Sequence, residues 1–141
     1  MELGINSDPS EFFCCMILVM AGKRNPRKLG RLGEKLAKTF LEASGYEVLF
    51  RNVRTEYGEI DLIAKRKNRL HFVEVKTRRS KTFGTPEDSI TPKKLGHMVN
   101  SAEAFFQTYP EYEGDWQIDV IAILLKTDTT SPEIRLFENV S

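Results

Sequence analysis

Two acids and a lysine, Asp61, Glu74 and Lys76, fall within sixteen residues of one another in segments that are otherwise apolar, GEIDLIA (58–64) and HFVEVK (71–76). Charged side chains avoid such surroundings unless they are paired, metal-bound or functional. Two carboxylates and an ammonium are what divalent-metal cleavage of a phosphodiester requires. The acids hold the ion, and the lysine meets the charge that develops at phosphorus. Carboxylate oxygens suit hard cations, so Mg²⁺ is the expected ion and Mn²⁺ its substitute. An acid-x-lysine pair is common by chance, and its weight here comes from the apolar flanks and from Asp61 ahead of it.

Both segments read as strands. Side chains on a strand alternate between faces. Leu70, Phe72, Glu74 and Lys76 therefore share one face, and His71, Val73 and Val75 the other. In the first segment Glu59, Asp61 and Ile63 share a face, with Ile60, Leu62 and Ala64 behind them. The stretch KRKNR (65–69) suits a hairpin turn. Antiparallel pairing through it sets Asp61 near Glu74, so that one cation could serve both. A slip of one residue would undo that match.

Further acids need weighing. Glu34 lies on an apparent helix with Ala37 and Leu41. It reads equally as a site member and as a surface acid paired with Lys38. Glu59 is an accessory ligand or a strand-mouth acid. Asp119 interrupts the apolar WQIDVIAILL and reads as structural. His71 and His97 match no triad or zinc spacing; His71 belongs to the face opposite Glu74, and His97 to the surface.

The elements that must position these groups follow from periodicity. Leu29, Leu32, Leu36 and Phe40 mark a helix over 28–44, ended by Gly45. YEVLF (46–50) is a strand and 51–57 a basic turn. Residues 77–91 read as a long loop, of the length that is usually functional. Thr91-Pro92 opens a second helix, with Leu95, Met98, Val99, Ala102, Phe105 and Phe106 on its apolar side. An acidic linker (108–115) leads to a strand at 116–125, apolar throughout and hence buried on both faces. EIRLF (133–137) closes the chain. The predicted class is α/β, a mixed central sheet flanked by helices in the order αβββαββ.

Charge separates along the chain. Its 141 residues carry a formal net charge of only +1, yet Lys23 to Lys94 holds nineteen of the 21 Lys and Arg against nine of the 20 acids. That segment is +10 and the remainder −9. A basic segment containing the candidate metal acids fits a polyanion, with DNA the expected partner and no membrane partner. Arg51, Arg54, Arg66, Lys67, Arg78, Arg79, Lys81, Lys93 and Lys94 are the candidate phosphate contacts. Lys94 stands out because it occupies the first turn of a helix. The bland alternative is an acidic tail that folds back over the basic segment.

The only cysteines, Cys14 and Cys15, are adjacent, which suits neither a disulfide framework nor a zinc site. The chain reads as a protein of a reducing compartment, the cytoplasm. Phe12 to Met20 is an apolar run of nine residues, short of the about 20 that a membrane helix needs. Acids rather than bases precede it, unlike a signal peptide. Residues 1–22 read as a leader, flexible or upstream of a true start at Met16 or Met20. A secretory signal is the competing reading. Residues 23–141 form the domain.

Asp61 followed by Glu74-x-Lys76 on two adjacent strands resembles the PD-(D/E)xK nuclease motif. More closely, the chain is similar to the YraN-like family of uncharacterised bacterial proteins. The resemblance is carried by LGRLGEKLA (29–37), GYEVLFRNVR (45–54), GEIDLIA, FVEVKTR (72–78), FGTPEDSITPKK (83–94) and QIDVI (117–121). It implies a restriction-endonuclease-like fold related to Holliday-junction resolvases. It adds Glu34 to the metal ligands Asp61 and Glu74, with Lys76 at the reacting phosphate; Arg51, Arg54, Arg78, Lys93 and Lys94 are placed on nucleic acid by the charge pattern alone. A resolvase would need two sites, hence a homodimer. Two departures stand out: Ile60 replaces the motif's proline, and Gln117 replaces an arginine usual before the Asp119 segment. The implied activity is cleavage of structured or branched DNA. The alternatives are a nucleic-acid-binding module that keeps the fold without cutting, and a protein-interaction subunit.

Overall fold

The computed structural model describes residues 26–79, 90–125 and 132–140. The leader, both cysteines, Lys81 and most of the 77–91 loop lie outside them.

Helix α1 (Pro26–Ala43) is followed by strands β1 (Glu47–Thr55), β2 (Gly58–Arg66) and β3 (Arg69–Arg78). Helix α2 (Pro92–Thr108), a 3₁₀ turn (Pro110–Tyr112), β4 (Trp116–Leu124) and β5 (Glu133–Phe137) complete the described elements. The predicted order αβββαββ is the observed one. The strands form one five-stranded sheet in the order β1-β2-β3-β4-β5. β3 and β4 pair in parallel and every other pair is antiparallel. A parallel pair needs a crossover between its strands, and α2 provides it.

The two helices cover opposite faces. Leu32, Leu36, Ala37, Phe40 and Leu41 of α1 bury against Leu62, Ala64, Val73, Ile121 and Ile123. Ala102 and Phe105 of α2 bury against Ile60, Ile63, Leu70, Phe72 and Ile118. β4 is buried from Gln117 to Leu124, as its unbroken apolar run predicts. α1 ends in a Schellman motif. The N–H groups of Tyr46 and Gly45 donate to Leu41 O and Glu42 O at 3.0 and 3.1 Å, with Gly45 at φ 89°. α2 begins as predicted, with Thr91 Oγ1 accepting from Lys94 N at 3.1 Å and Pro92 in its first turn.

Three boundary expectations are corrected. The basic stretch after Phe50 is strand as far as Thr55 rather than turn. The β2–β3 connection is only Lys67-Asn68, at φ 50° and 61°, the primed turn that matches strand twist. The rest of KRKNR belongs to the strands. β3 extends through Arg78, two residues into the predicted loop.

The largest correction concerns face alternation in β2. Ile60 and Ile63 share the α2-side core, although their parities differ, while Leu62 lies in the α1-side core. Strict alternation is thus broken between Ile60 and Ile63. On β1, Phe50 and Val53 both pack on the α2 side in the same way. The register runs Arg51↔Leu62 and then Val53↔Ile60, so Asn52 and Asp61 are the intervening positions. Asn52 takes a left-handed φ of 52°, a conformation asparagine tolerates better than most residues. That local twist re-aims both strands where the first acid of the candidate site stands.

Candidate functional site

The hairpin brings Asp61 to Glu74 as predicted. Pairing of β2 with β3 runs from Arg66↔Arg69 to Leu62↔Val73, and one further step would match Asp61 with Glu74. There the ladder gives way: the Val75 N–H donates to Asp61 Oδ2 at 2.8 Å. The carboxylate substitutes for a strand carbonyl and is fixed between the two strands.

α1 supplies Glu34, and Gly33 explains how. A Cβ on Gly33 would lie 1.7 Å from Thr77 Oγ1, so only glycine lets this helix lie so close to β3. The next residue on the helix, Glu34, is thereby brought to the sheet. Glu34 is half-buried and hydrogen-bonds with the side chain of Asn52. The alternative pairing with Lys38 is not formed; Lys38 pairs with Glu42 at 3.5 Å.

Glu34, Glu59 and Asp61 present carboxylate oxygens within 4.8 Å of one another. Burial, and next the Glu74 charge, push the Asp61 carboxyl up to about 7 against the opposing Val75 hydrogen bond, with Glu34 and Glu59 adding to the rise. Burial is also the main reason that the Glu34 carboxyl is raised; Asn52 opposes it and Glu59 adds repulsion. The acids therefore repel one another, and a divalent cation among them would offset that repulsion. An all-oxygen donor set fits Mg²⁺ or Mn²⁺.

Glu74 stands beside this trio and is bound differently. Its Oε1 meets Lys94 Nζ at 2.9 Å and Lys76 Nζ at 3.5 Å. The shared contact confirms that Glu74 and Lys76 lie on one face. Burial, then the approach of Lys94, lower the Lys76 ammonium below its ordinary range. Burial acts on Lys94 in the same direction, but its bonds to Lys76 and Glu74 outweigh it and the group ends above its ordinary range.

The candidate nucleic-acid contacts spread around this centre. Arg51, Arg54 and Lys93 are exposed, and Arg78 is half-buried. Arg54 Nε reaches Glu59 Oε2 at 3.9 Å. Arg66 lies apart, 5.1 Å over the Tyr46 ring. Lys94 faces Glu74 rather than open solvent, with its Nζ group already engaged.

A second polar cluster occupies the buried end of β3 and β4. Asp119, fully buried, accepts from Gln117 Nε2 at 2.7 Å and Asn139 N at 2.9 Å, and its Oδ2 lies 2.6 Å from His71 Nδ1. Gln117 thus pairs directly with Asp119, and Arg69 reaches Gln117 at 3.0 Å. Tyr46 packs edge-on against His71, with ring centroids 4.9 Å apart. His71 is 5% exposed, which fits a structural tie and not a group that meets substrate. His97 is exposed, as predicted.

Asn52 and the Glu74–Lys94 pair were not legible as site features. Asn52 fell in a stretch that reads as turn, where an asparagine draws no notice. The second joins residues twenty positions apart, and no local spacing carries it.

A sequence profile of the uncharacterised protein family UPF0102 matches residues 33–123. The chain is 42% identical over 100 residues to a UPF0102 protein of Syntrophomonas wolfei, covering 71% of this chain and 87% of that one. It is 42% identical over 115 residues to one from Caldicellulosiruptor saccharolyticus, covering 82% and 98%. It is 44% identical over 113 residues to one from Chlorobium phaeobacteroides, covering 80% and 89%. No helix among the described residues is long and apolar enough to cross a membrane.

Proposed function

The chain belongs to the uncharacterised protein family UPF0102, and for this member we propose metal-dependent cleavage of structured or branched DNA, in the manner of a Holliday-junction resolvase. The observation that carries the reading is the convergence of Glu34, Glu59 and Asp61 within 4.8 Å, beside a carboxylate that holds two lysines. A restriction-endonuclease-like description of the fold belongs to the same proposal.

Glu34, Glu59 and Asp61 would hold Mg²⁺. The ion would supply Lewis acidity at a phosphate oxygen and make a bound water easier to deprotonate, which is what makes water a nucleophile toward phosphorus. The protein's own groups do the rest. Val75 N–H and Asn52 fix the Asp61 and Glu34 carboxylates in place before any ion arrives. Lys76 and Lys94 offer ammonium protons to the phosphate oxygens on which charge builds. Arg51, Arg54, Arg78 and Lys93 neutralise flanking phosphates, which positions the nucleic acid without reading its sequence.

The test is cleavage of four-way-junction and single-stranded DNA with Mg²⁺, by wild type and Asp61→Ala. Wild-type cutting that is lost in the variant supports the reading. No wild-type activity, or activity that survives the substitution, sinks it.

One observation favours a second reading, a DNA-binding module that does not cut. Glu74 is engaged by two lysines instead of joining the acid trio. That protein would bind DNA in a salt-sensitive way and leave it uncut in Mg²⁺.

A further inference from the structure

We propose that Lys94 is an internal competitor for the metal site: it holds Glu74 until a divalent cation takes that carboxylate. The inference rests on the metal-site reading above and adds to it the residue that controls when the site is complete.

The geometry points this way on three counts. Glu74 borders the trio, since the N–H of the next residue, Val75, donates to Asp61 Oδ2 at 2.8 Å. Yet the acids converging within 4.8 Å are Glu34, Glu59 and Asp61, without it. The group that engages it most closely is Lys94, at 2.9 Å against 3.5 Å for Lys76, and both use the same oxygen, Oε1.

The position of Lys94 is unfavourable without a carboxylate beside it. It stands in the first turn of α2, where Thr91 Oγ1 caps its N–H. The positive end of a helix disfavours a lysine. Glu74 offsets that cost, with only 12% of its side chain exposed. A half-buried single-charge cation thus already pairs with the acid that an ion at the trio would recruit, and the two compete for its charge. A lysine freed from Glu74 on loading would leave its ammonium at the helix terminus facing a phosphate.

Calorimetric Mn²⁺ titration of the full chain tests this at high ionic strength, where long-range charge effects are screened. Wild type, Lys94→Met, Lys94→Arg and Lys93→Met are compared, with Asp61→Asn as the no-site control. Lys94→Met is expected to bind Mn²⁺ about threefold to tenfold more tightly, the range for losing one half-buried ion-pair competitor. Lys94→Arg should stay near wild type. Lys93→Met removes an exposed charge from the neighbouring position and should change affinity much less.

Wild-type binding that Lys94→Met leaves unchanged or weakens overturns the inference but leaves the metal site standing. An equal gain in Lys93→Met also overturns it, because charge alone would then account for the effect. Absence of Mn²⁺ binding in wild type and Lys94→Met alike overturns both the inference and the reading beneath it. Circular dichroism on each variant shows that the fold is retained.

Discussion

The main-chain N–H of Val75 donates to Asp61 Oδ2 at 2.8 Å, at the point where the β2–β3 ladder stops. One side chain thereby ends a strand pairing and anchors the acid cluster. Burial and three neighbouring carboxylates raise its pKa to about 7.

That shift sets the sign of a pH effect. The folded-state pKa lies above the ordinary 3.8, so the folded state holds the proton more firmly than the unfolded chain. The stability this gives is complete below pH 3.8 and is lost as pH rises through 7. In chelator at pH 8, Asp61→Asn should be more stable than wild type by about 1–3 kcal/mol. Near pH 4 the two should converge. Urea melts across pH 4–8 check this, and parallel curves would contradict it.

Divalent cations should reverse that penalty. At ten times its Kd, Mg²⁺ or Mn²⁺ should stabilise wild type by about 1.4 kcal/mol. Thermal shift assays should show this rise vanish in Asp61→Asn and shrink in Glu34→Gln and Glu59→Gln. An equal rise in every variant would mean that binding occurs elsewhere.

Gly33→Ala should cost about 1–3 kcal/mol, because the helix must lift off Thr77. It should also weaken Mn²⁺ binding, since Glu34 moves with the helix. Thr77→Ala in the same chain should restore part of both. Calorimetry with unchanged affinity in Gly33→Ala would separate helix packing from the site.

Asp119→Ala should cost about 3–5 kcal/mol, as it strands partners buried beside it. Its folded fraction should bind Mn²⁺ like wild type, because the Asp119 carboxylate is engaged by His71, Gln117 and Asn139 and not by the acid trio. Chemical denaturation and a titration of the same preparation measure the two effects. A loss of metal affinity without a loss of stability would place Asp119 in the site.

DNA affinity should fall with salt. Arg51→Ala, Arg54→Ala and Lys93→Ala should each reduce the log–log slope by about 1 wherever a phosphate contact is lost. Anisotropy titrations over a range of KCl concentrations report the slope. Slopes that match wild type would remove these residues from the interface.

Much of this was legible in the chain. The α2 start at Thr91-Pro92, the Gly45 stop and the buried β4 follow local rules that the tertiary structure obeys. The approach of Asp61 to Glu74 followed from reading β2 and β3 as one antiparallel hairpin. Strict alternation failed at Asn52 and Asp61 because a left-handed residue re-aims both strands, and nothing in a period-2 pattern encodes that twist. KRKNR read as turn because it is polar, yet only Lys67 and Asn68 need positive φ. The trio of Glu34, Glu59 and Asp61 depends on how closely a helix lies to a sheet. Gly33 permits that approach, but a glycine in a helix does not announce its neighbour. The link from Lys94 to Glu74 is tertiary in the same sense.

The parallel step between β3 and β4 has a consequence for how the protein is made. Glu34, Glu59, Asp61 and Glu74 all precede the crossover, on one helix and two consecutive hairpins. Hairpins close quickly, whereas a parallel pair waits for its connection to be synthesised and folded back. On the ribosome the four acids can therefore gather while β4 is still unmade. Lys94 follows in the crossover itself. The nascent chain carries its acidic cluster before the lysine that tempers it, and a divalent ion at that stage could help the first half of the sheet to hold together.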